Sequence, residues 1–243
     1  MYMKLHKQAI YKELAEYYDL LYSWKDYKKE STIIKKLISR YKKSLGNDLL
    51  EVGCGTGKHV KYLSNSFSVL AVDINNEMLV IAQKNNPGIH FKQANMITLN
   101  LEKQFDVILC LYSSIAYVKT KANLKKTIKN FADHLKKGGV MLIEPWYTKE
   151  TYTVGAPNMS TFDNRNIKIS KMCVPKIRGN ISIMDMNYLI AKESQEIKHI
   201  VDRHEMGLFE VDEITAIMKK AGIHANFLQN GFMKNRGLFI GIK

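Results

Sequence analysis

The most informative segment of the chain is Leu49-Leu50-Glu51-Val52-Gly53-Cys54-Gly55-Thr56-Gly57. An apolar run ends in three glycines with the spacing Gly-x-Gly-x-Gly, and an amphipathic stretch follows. Glycines permit a tight turn and let a ligand approach the backbone, while the first turn of a helix offers free N–H groups. The segment therefore predicts a strand, a ligand-binding turn and a helix in succession.

Two acidic residues indicate what this turn binds. Asp73 lies 16 residues beyond Gly57, at the end of a second apolar run, where a carboxylate can accept both ribose hydroxyls of an adenosine. Glu51 precedes the first glycine by two positions, which suits acceptance from a cationic amino group and does not suit a pyrophosphate. The glycine spacing also differs from the dinucleotide pattern Gly-x-Gly-x-x-Gly. The pair of acids favours a nucleoside with a cationic group over a dinucleotide.

Short apolar runs alternate with amphipathic stretches between residues 48 and 144. This alternation is typical of βαβ units and predicts an α/β fold, a mostly parallel seven-stranded sheet with helices on both faces. The predicted strands are 48–52, 68–72, 90–93, 105–111 and 140–144, and the helices between them are about 57–64, 76–85 and 121–136. A further helix is predicted at 211–221, and two last strands at about 223–228 and 237–242 could close the sheet edge as a hairpin.

Two segments do not follow this alternation. Residues 5–22 and 27–44 carry apolar groups at helical spacing, which predicts an N-terminal helical lid. Residues 147–207 have an extended pattern, with Gly179 and Asn180 as a hairpin turn, which predicts an antiparallel β insert.

The chain is basic, with 37 Lys and Arg against 23 Asp and Glu in 243 residues, a net charge of +14. Such an excess favours anionic partners, namely nucleic acid, phosphorylated metabolites or membrane surfaces. The lysines are scattered over predicted helices, however, and no block of like charge indicates a nucleic-acid tail. No apolar run has the length of a membrane span, and residues 1–7 lack the apolar region of a signal peptide.

Cysteine and histidine usage gives no sign of a metal. The three cysteines are isolated, which disfavours a zinc or redox motif and suits a reducing, cytoplasmic location. The histidines show no metal-ligand spacing; His199 and His204, five apart on a predicted strand, would face opposite sides. We therefore expect no metal.

Taken together, these motifs resemble the class I S-adenosylmethionine-dependent methyltransferases. The segment 51–57 is similar to their first motif, Asp73 to the acid after their second strand, and 76–86 to the helix that packs on adenine. Ala94-Asn95-Met96 stands where the family often has Gly-Asp-Met, so Asn95 keeps an acceptor for the adenine amino group without the charge. The resemblance implies S-adenosylmethionine as cofactor and S-adenosylhomocysteine as product. It implies a cofactor site formed by Tyr11, Glu51, Gly53, Gly55, Gly57, Asp73, Ile74, Met78, Asn95, Met96 and Leu111.

Three further segments narrow the resemblance to the N-methyltransferases that act on nucleotide-linked 3-amino sugars. They are Tyr112-Ser113-Ser114-Ile115-Ala116-Tyr117, Glu144-Pro145-Trp146-Tyr147-Thr148-Lys149-Glu150 and Asn235-Arg236-Gly237-Leu238-Phe239. Ala116 and Tyr147 depart from the family pattern, which has Gly and a second Trp there. The implied catalytic residues are Tyr117, Tyr18 and His59, and the implied substrate-binding residues are Trp146, Tyr147, Arg178 and Arg236.

In these terms the chain divides into a helical lid (1–46), a cofactor-binding α/β core (47–146), the β insert (147–207) and a C-terminal part that completes the core (208–243). The expected partner is a small anionic substrate, with nucleic acid and membranes disfavoured and a homodimer possible. Two alternatives stay open at this point. One is an RNA methyltransferase, in which the positive charge binds the RNA backbone; the other is a cofactor-binding protein without catalytic activity.

Overall fold

The computed structural model describes residues 5–243 of the chain. The prediction of no signal peptide falls partly on residues 1–4, which lie outside the described residues. Within the described part, no helix combines the length and the apolar character needed to cross a membrane.

The N-terminal segment differs from the helix predicted over 5–22. Its first residues form a short strand, β1 (Leu5–Lys7), followed by a 3-10 turn at Ala9–Tyr11 and a helix, α1 (Ala15–Leu21). The prediction was wrong here because the strand forms by pairing with a distant part of the chain, which local periodicity does not reveal. The next helix, α2 (Tyr27–Tyr41), lies within the predicted 27–44.

The central part of the chain alternates strands and helices as predicted. Its strands are β2 (Asp48–Val52), β3 (Ser68–Asp73), β4 (His90–Gln93), β5 (Phe105–Cys110) and β6 (Leu135–Ile143). Its helices are α3 (Val60–Leu63), α4 (Asn76–Asn85) and α5 (Lys121–His134). The strand β6 begins where the sequence predicts the last helical residues, at Leu135.

The insert is antiparallel and forms a second sheet. Its strands are β7 (Asn158–Asp163), β8 (Ile167–Cys173), β9 (Lys176–Arg178), β10 (Ile181–Lys192) and β11 (Lys198–Gly207). The predicted hairpin turn at Gly179 and Asn180 joins β9 to β10. The order is β1-β11-β10-β8-β7 with β9 on β10, so the N-terminal strand joins this sheet, in parallel with β11.

The chain ends with α6 (Val211–Lys220), β12 (His224–Leu228) and β13 (Leu238–Ile242). The last two strands pair as a hairpin at the edge of the main sheet, whose order is β12-β13-β6-β5-β2-β3-β4. The pairings among β2 to β6 are parallel, and β13 is antiparallel to β6.

Both faces of the main sheet are buried. Alternate residues of each central strand pack on α5 and α6 on one face and on α2, α3 and α4 on the other. Burial on both faces accounts for the continuous apolar runs of the sequence. The carboxyl ends of β2, β3 and β5 therefore lie at one edge of a rigid layer, which is where an open α/β sheet binds its ligands.

At the opposite edge of the sheet, a buried carboxylate on β5 connects β5 to the neighbouring strands β2 and β6. Asp106 accepts the backbone N–H of Asp48 at 3.0 Å and pairs with the Lys136 ammonium at 2.8 Å. Burial raises the pKa of the Asp106 carboxyl, but the hydrogen bonds from Lys136, Ser44 and the Asp48 N–H, together with the charge of Lys136, outweigh burial and hold the pKa below its usual range. Because the folded-state pKa lies below the unfolded one, this stabilisation is present above about pH 4 and is lost as the pH falls through the folded-state pKa.

We expect Asp106→Asn to lower the free energy of unfolding at pH 7 by about 1–3 kcal/mol. The loss should begin to shrink below about pH 4 and vanish as the pH falls through the lowered folded-state pKa of Asp106, where wild-type Asp106 is also neutral. Urea unfolding at pH 7 and at acidic pH measures both effects. The matched control is Asp163→Asn, because Asp163 pairs with Lys168 on the surface with 69% of its side chain exposed. Equal losses in the two variants at pH 7 would contradict the role given to burial.

Candidate active site

A cavity of about 330 Å³ opens at the carboxyl ends of β2, β3 and β5. Gly53 and Gly55 of the glycine loop line its floor, whereas Gly57, which the sequence also assigned to the cofactor, does not line it. All three have positive φ, 72° at Gly53, 54° at Gly55 and 73° at Gly57. A Cβ on Gly53 would lie 2.7 Å from the Cβ of Ser114, and one on Gly57 would lie 2.7 Å from the amide nitrogen of Asn86. Positive φ and close neighbours together restrict both positions to glycine. Cys54, between the first two glycines, is buried, and its sulfhydryl is free.

Asp73 holds this loop against the end of β3. Its carboxylate accepts the backbone N–H of Gly55 at 2.9 Å through one oxygen and that of Asn75 at 2.9 Å through the other. Burial raises the pKa of Asp73, while these backbone hydrogen bonds work against the rise. Oδ1 also accepts the side-chain amide of Asn75 at 3.3 Å, so the remaining acceptor capacity toward a ribose hydroxyl lies mainly on Oδ2.

Glu51 lies at the other end of the floor. It is 2% exposed, and its Oε2 has no hydrogen-bond partner within residues 5–243. Its Oε1 lies 3.5 Å from Nδ1 of His59, whose Nε2 contacts Glu30 at 2.8 Å. A buried carboxylate oxygen without a partner is costly, so it indicates a donor that the site binds.

His59 is held between two carboxylates. Burial lowers its pKa, but the hydrogen bonds and charges of Glu30 and Glu51 outweigh burial, and the net shift is upward. A protonated imidazole with both nitrogens occupied can orient Glu51 and is not free to accept another proton. The geometry therefore favours a positioning role for His59 over the catalytic role that the resemblance implies.

The remaining residues assigned to the cofactor lie along the cavity between α4 and the segment after β4. Met78, Asn95, Met96, Ile74 and Leu111 all line it. The side-chain oxygen of Asn95 already accepts the backbone N–H of Ile97 at 2.9 Å. Its second lone pair and its amide group remain for a base edge. The floor, the two acids and this apolar wall together fit S-adenosylmethionine.

Tyrosines close the cavity from above. Tyr11 and Tyr18, from the N-terminal segment, have ring centroids 5.8 Å apart, and Tyr117 lies edge-on to Tyr11 at the same separation. The hydroxyl groups of Tyr11 and Tyr117 are 2.9 Å apart. The structure thus brings together three aromatic residues that the sequence assigned to catalysis and cofactor binding.

The loop after β5 has an unusual backbone. Tyr112 and Ser113 both have positive φ, 49° and 62°, which is uncommon for residues other than glycine. Buried Glu144 accepts the backbone N–H of Tyr112 at 2.8 Å, and the Ser113 hydroxyl donates to the carbonyl of Pro145 at 2.7 Å. These bonds hold the loop in a shape that turns Tyr112 into the cavity.

A second cavity lies beside this loop and is lined by Arg236 and Trp146. The guanidinium carbon of Arg236 lies 4.2 Å from the ring centroid of Trp146, 4.9 Å from that of Tyr147 and 5.7 Å from that of Tyr112. Arg236 donates one hydrogen bond, to Ser113 at 3.3 Å, and its buried Nε has no partner within residues 5–243. The structure therefore brings three of the four residues assigned to the substrate to one place.

The fourth, Arg178, lies elsewhere. It sits on strand β9 with 74% of its side chain exposed, and it pairs with Glu205 at 3.4 Å. It lines neither cavity.

No group of three His, Cys, Asp or Glu among the described residues is placed to hold a metal ion.

Two further buried residues, Asp202 and His204, contact the site and were not singled out from the sequence. The Nδ1 of His204 lies 2.7 Å from the Tyr117 hydroxyl, and its Nε2 lies 2.9 Å from Oδ2 of Asp202. The signal available in the sequence was the spacing Asp-x-His on a strand, which places both side chains on one face.

The comparisons with known proteins agree with this site. Residues 49–139 match the family model described as a methyltransferase domain. The chain is 30% identical over 231 residues to the dTDP-3-amino-3,4,6-trideoxy-alpha-D-glucopyranose N,N-dimethyltransferase of Streptomyces venezuelae, across 94% of this chain and 97% of that protein. It is 31% identical over 232 residues to the dTDP-4-amino-2,3,4,6-tetradeoxy-D-glucose N,N-dimethyltransferase of Saccharopolyspora spinosa, across 94% and 92%.

The fold agrees as well. The crystal structure of Streptomyces venezuelae DesVI superposes with a TM-score of 0.88 at 29% identity, covering 94% of this chain and 98% of that one. The predicted family and cofactor are thereby confirmed. The chain is an S-adenosylmethionine-dependent methyltransferase and belongs to the class I family that contains the dTDP-amino-sugar N,N-dimethyltransferases.

Proposed function

We propose that this enzyme methylates the amine of a dTDP-linked amino sugar. The observation that carries the proposal is the contact of Tyr112, in the first cavity, with Arg236, in the second. Tyr112 lines the cofactor cavity, and its ring also contacts Arg236, which lines the second cavity beside Trp146. Two relatives that match almost the whole chain act on amines of dTDP-linked sugars, one at position 3 and the other at position 4.

The cofactor supplies an electrophilic methyl group on a sulfonium ion. The chain's own residues hold the two ends of that molecule. The free oxygen of Glu51 accepts from the cationic amino group, and Asp73 accepts from the ribose hydroxyls. Met78, Met96 and Leu111 form the apolar wall for the adenine. Placement of this kind can lower the barrier of a bimolecular step by about 7–11 kcal/mol at best.

The substrate's anionic part belongs to the second cavity. Arg236 stacks on Trp146, so its guanidinium group is fixed in orientation, and its unpaired Nε can donate to a phosphate oxygen. Guanidinium groups bind phosphate oxygens through two parallel hydrogen bonds. Tyr147 and Trp146 supply a wall for the sugar or the base.

The acceptor amine belongs between the two cavities, under the tyrosines. The Tyr117 hydroxyl contacts the amine nitrogen, and Tyr11 and Tyr18 close over the cofactor and exclude water. This assignment makes the N-terminal segment the lid predicted from the sequence. The homodimer and the cytoplasmic location remain predictions.

A methyl-transfer assay with competing acceptors tests this function. The enzyme is mixed with S-adenosylmethionine and with dTDP-linked sugars that carry an amine at position 3 or at position 4. We expect mass spectrometry to show the gain of methyl groups on one of the two. A short RNA serves as the competing acceptor. Methylation of the RNA alone would overturn the proposal in favour of the RNA alternative.

Glu51→Gln should weaken cofactor binding about 10- to 100-fold, because the amide loses the charge that faces the cofactor's amino group. Isothermal titration with S-adenosylhomocysteine measures the dissociation constant without turnover. The matched control is Glu196→Gln, an exposed residue of the loop before β11, which should bind like wild type. If both variants bind like wild type, Glu51 does not contact the amino group.

Arg236→Gln should raise KM for the nucleotide-linked sugar about 10- to 100-fold and change kcat much less, since the lost contact serves ground state and transition state alike. Steady-state kinetics separate the two constants. Arg165→Gln, in an exposed loop of the insert, is the control. A KM effect of the same size on an amino sugar without its diphosphate would contradict the assignment.

A further inference from the structure

A hydrogen-bonded chain leads from the active-site cavity to a buried carboxylate. It begins at the Tyr117 hydroxyl, which faces the cavity, and passes through Nδ1 of His204 at 2.7 Å. It ends at Asp202, whose Oδ2 lies 2.9 Å from Nε2 of His204. His204 is 2% exposed and Asp202 is fully buried, and neither lines the cavity. The proposed function leaves both without a role.

The surroundings of Asp202 fix the polarity of this chain. Its two oxygens accept the backbone N–H groups of Ala9 at 2.8 Å and Ile10 at 3.0 Å. Burial raises its pKa, but the hydrogen bond and charge of His204, together with these N–H groups, hold the pKa below its usual range. An ionised Asp202 accepts only, so Nε2 of His204 carries its proton and donates. In the neutral imidazole Nδ1 is then the acceptor, and the Tyr117 hydroxyl donates to it.

The Tyr117 oxygen keeps room for another donor. The Tyr11 hydroxyl lies 2.9 Å from it, and Tyr117 lines the cavity, so we infer that a donor bound in the cavity can reach the acceptor capacity that the oxygen retains. Burial raises the pKa of Tyr117 well above its usual range, and the pKa of Tyr11 is raised as well, first of all by burial. Neither hydroxyl therefore ionises by itself, and a proton that reaches Tyr117 must displace the one that it holds.

The other titratable groups near His204 are either neutral tyrosines or charged residues that pair with one another. Tyr117, in the 3-10 turn Ser114–Val118, and Tyr11, in the 3-10 turn Ala9–Tyr11, both face the imidazole. Tyr11 lies edge-on to it, with ring centroids 5.6 Å apart. Tyr188 of β10 is buried near Asp202 and is also neutral, since burial raises its pKa well above the usual range. The neighbouring charged residues on β11 and β10 form their own pairs, Arg203 with Asp185 and Glu205 with Lys119 and Arg178, and His6 of β1 pairs with Glu13.

We propose that Tyr117, His204 and Asp202 form a proton relay that deprotonates the acceptor amine. The inference rests on the proposed function, because it needs an amine as the acceptor. The N–H bond of the acceptor ammonium breaks and leaves its electron pair on nitrogen, while the proton joins the Tyr117 oxygen. The hydroxyl proton of Tyr117 passes to Nδ1 of His204. Asp202 stays ionised and stabilises the imidazolium, as the acid of a catalytic triad does.

Methyl transfer to an amine requires the amine to lose a proton, and the relay provides a path for that proton. A methyl acceptor needs a free lone pair on nitrogen, yet an aliphatic amine is largely protonated near neutral pH. A second methylation requires the removal of another proton, because the first transfer leaves an ammonium ion. Tyr117 contacts the acceptor, whereas His204 and Asp202 act through it and are positioning residues.

The pH dependence of His204→Gln tests the relay. General base catalysis is worth about 100-fold or more, so we expect kcat at pH 7 to fall ~100-fold. The loss should shrink as the pH rises, because solvent then supplies the deprotonated amine, and the wild-type profile should stay flat over the same interval. Adding Tyr117→Phe to His204→Gln should cost little more, since residues that act as a unit are not additive.

A second readout does not depend on turnover. The imidazole of His204 is followed by NMR in the complex with S-adenosylhomocysteine, and its signals are assigned by their loss in His204→Gln. We expect Nδ1 of His204 to become protonated when the dTDP-linked amino sugar is added, and to stay unprotonated in Tyr117→Phe.

The matched control is His199→Gln, on the same strand, where an exposed histidine contacts Asn187 at 3.0 Å. It should keep the wild-type profile, and equal thermal stability of the two variants would exclude misfolding as the cause of the loss. Two results together would overturn the relay alone. The His204→Gln variant would turn over as fast as wild type with a parallel pH profile, and His204 of the wild-type enzyme would stay unprotonated when the dTDP-linked amino sugar is added. A wild-type enzyme that methylates no amine would overturn the proposed function and the relay with it.

Discussion

The carboxylate of Asp73 holds the glycine loop in the one shape on which the cofactor site depends. It joins the end of β3 to the N–H of Gly55, across the gap between two parallel strands. The loop can follow this path only because Gly53 and Gly57 tolerate positive φ beside Ser114 and Asn86. The acid that we propose for the cofactor's ribose is therefore also part of the loop's own framework.

A second buried carboxylate, Asp202, connects parts of the chain that are far apart in sequence. It accepts the N–H groups of the first 3-10 turn, and β1 pairs with β11 in the same region. The first turn of the N-terminal segment is thus anchored on the β insert, whereas Asp19 of α1 accepts the Thr56 hydroxyl of the glycine loop at 2.7 Å. Tyr11 follows directly after the first anchor, so its position beside the cavity depends on both the insert and the core. The insert accordingly has a part in forming the active site as well as in covering the core.

Features that depend on residues close together in the sequence were predicted, whereas features that depend on contacts between distant residues were not. Alternating strands, the glycine loop, Glu51 and Asp73 all give local signals, and the turn at Gly179 was found where it was predicted. The strand β1 gave none, because three half-exposed residues become a strand only through a partner near residue 202. His204 was judged by metal spacing alone, and its contact with Tyr117 spans 87 positions of the chain. Local patterns carry no information about such a contact.

The buried thiol of Cys54 makes the cofactor loop observable from outside. Burial raises the pKa of this thiol well above its usual range, and the charges of Asp73 and Glu51 add to the effect. A protonated, enclosed sulfur is inert to alkylating reagents. Cys110 and Cys173 are buried as well, whereas Cys54 also lines the cofactor cavity. A bound ligand covers this thiol further, so the slow alkylation of Cys54 becomes slower still when the cavity is filled, without any label attached to the protein.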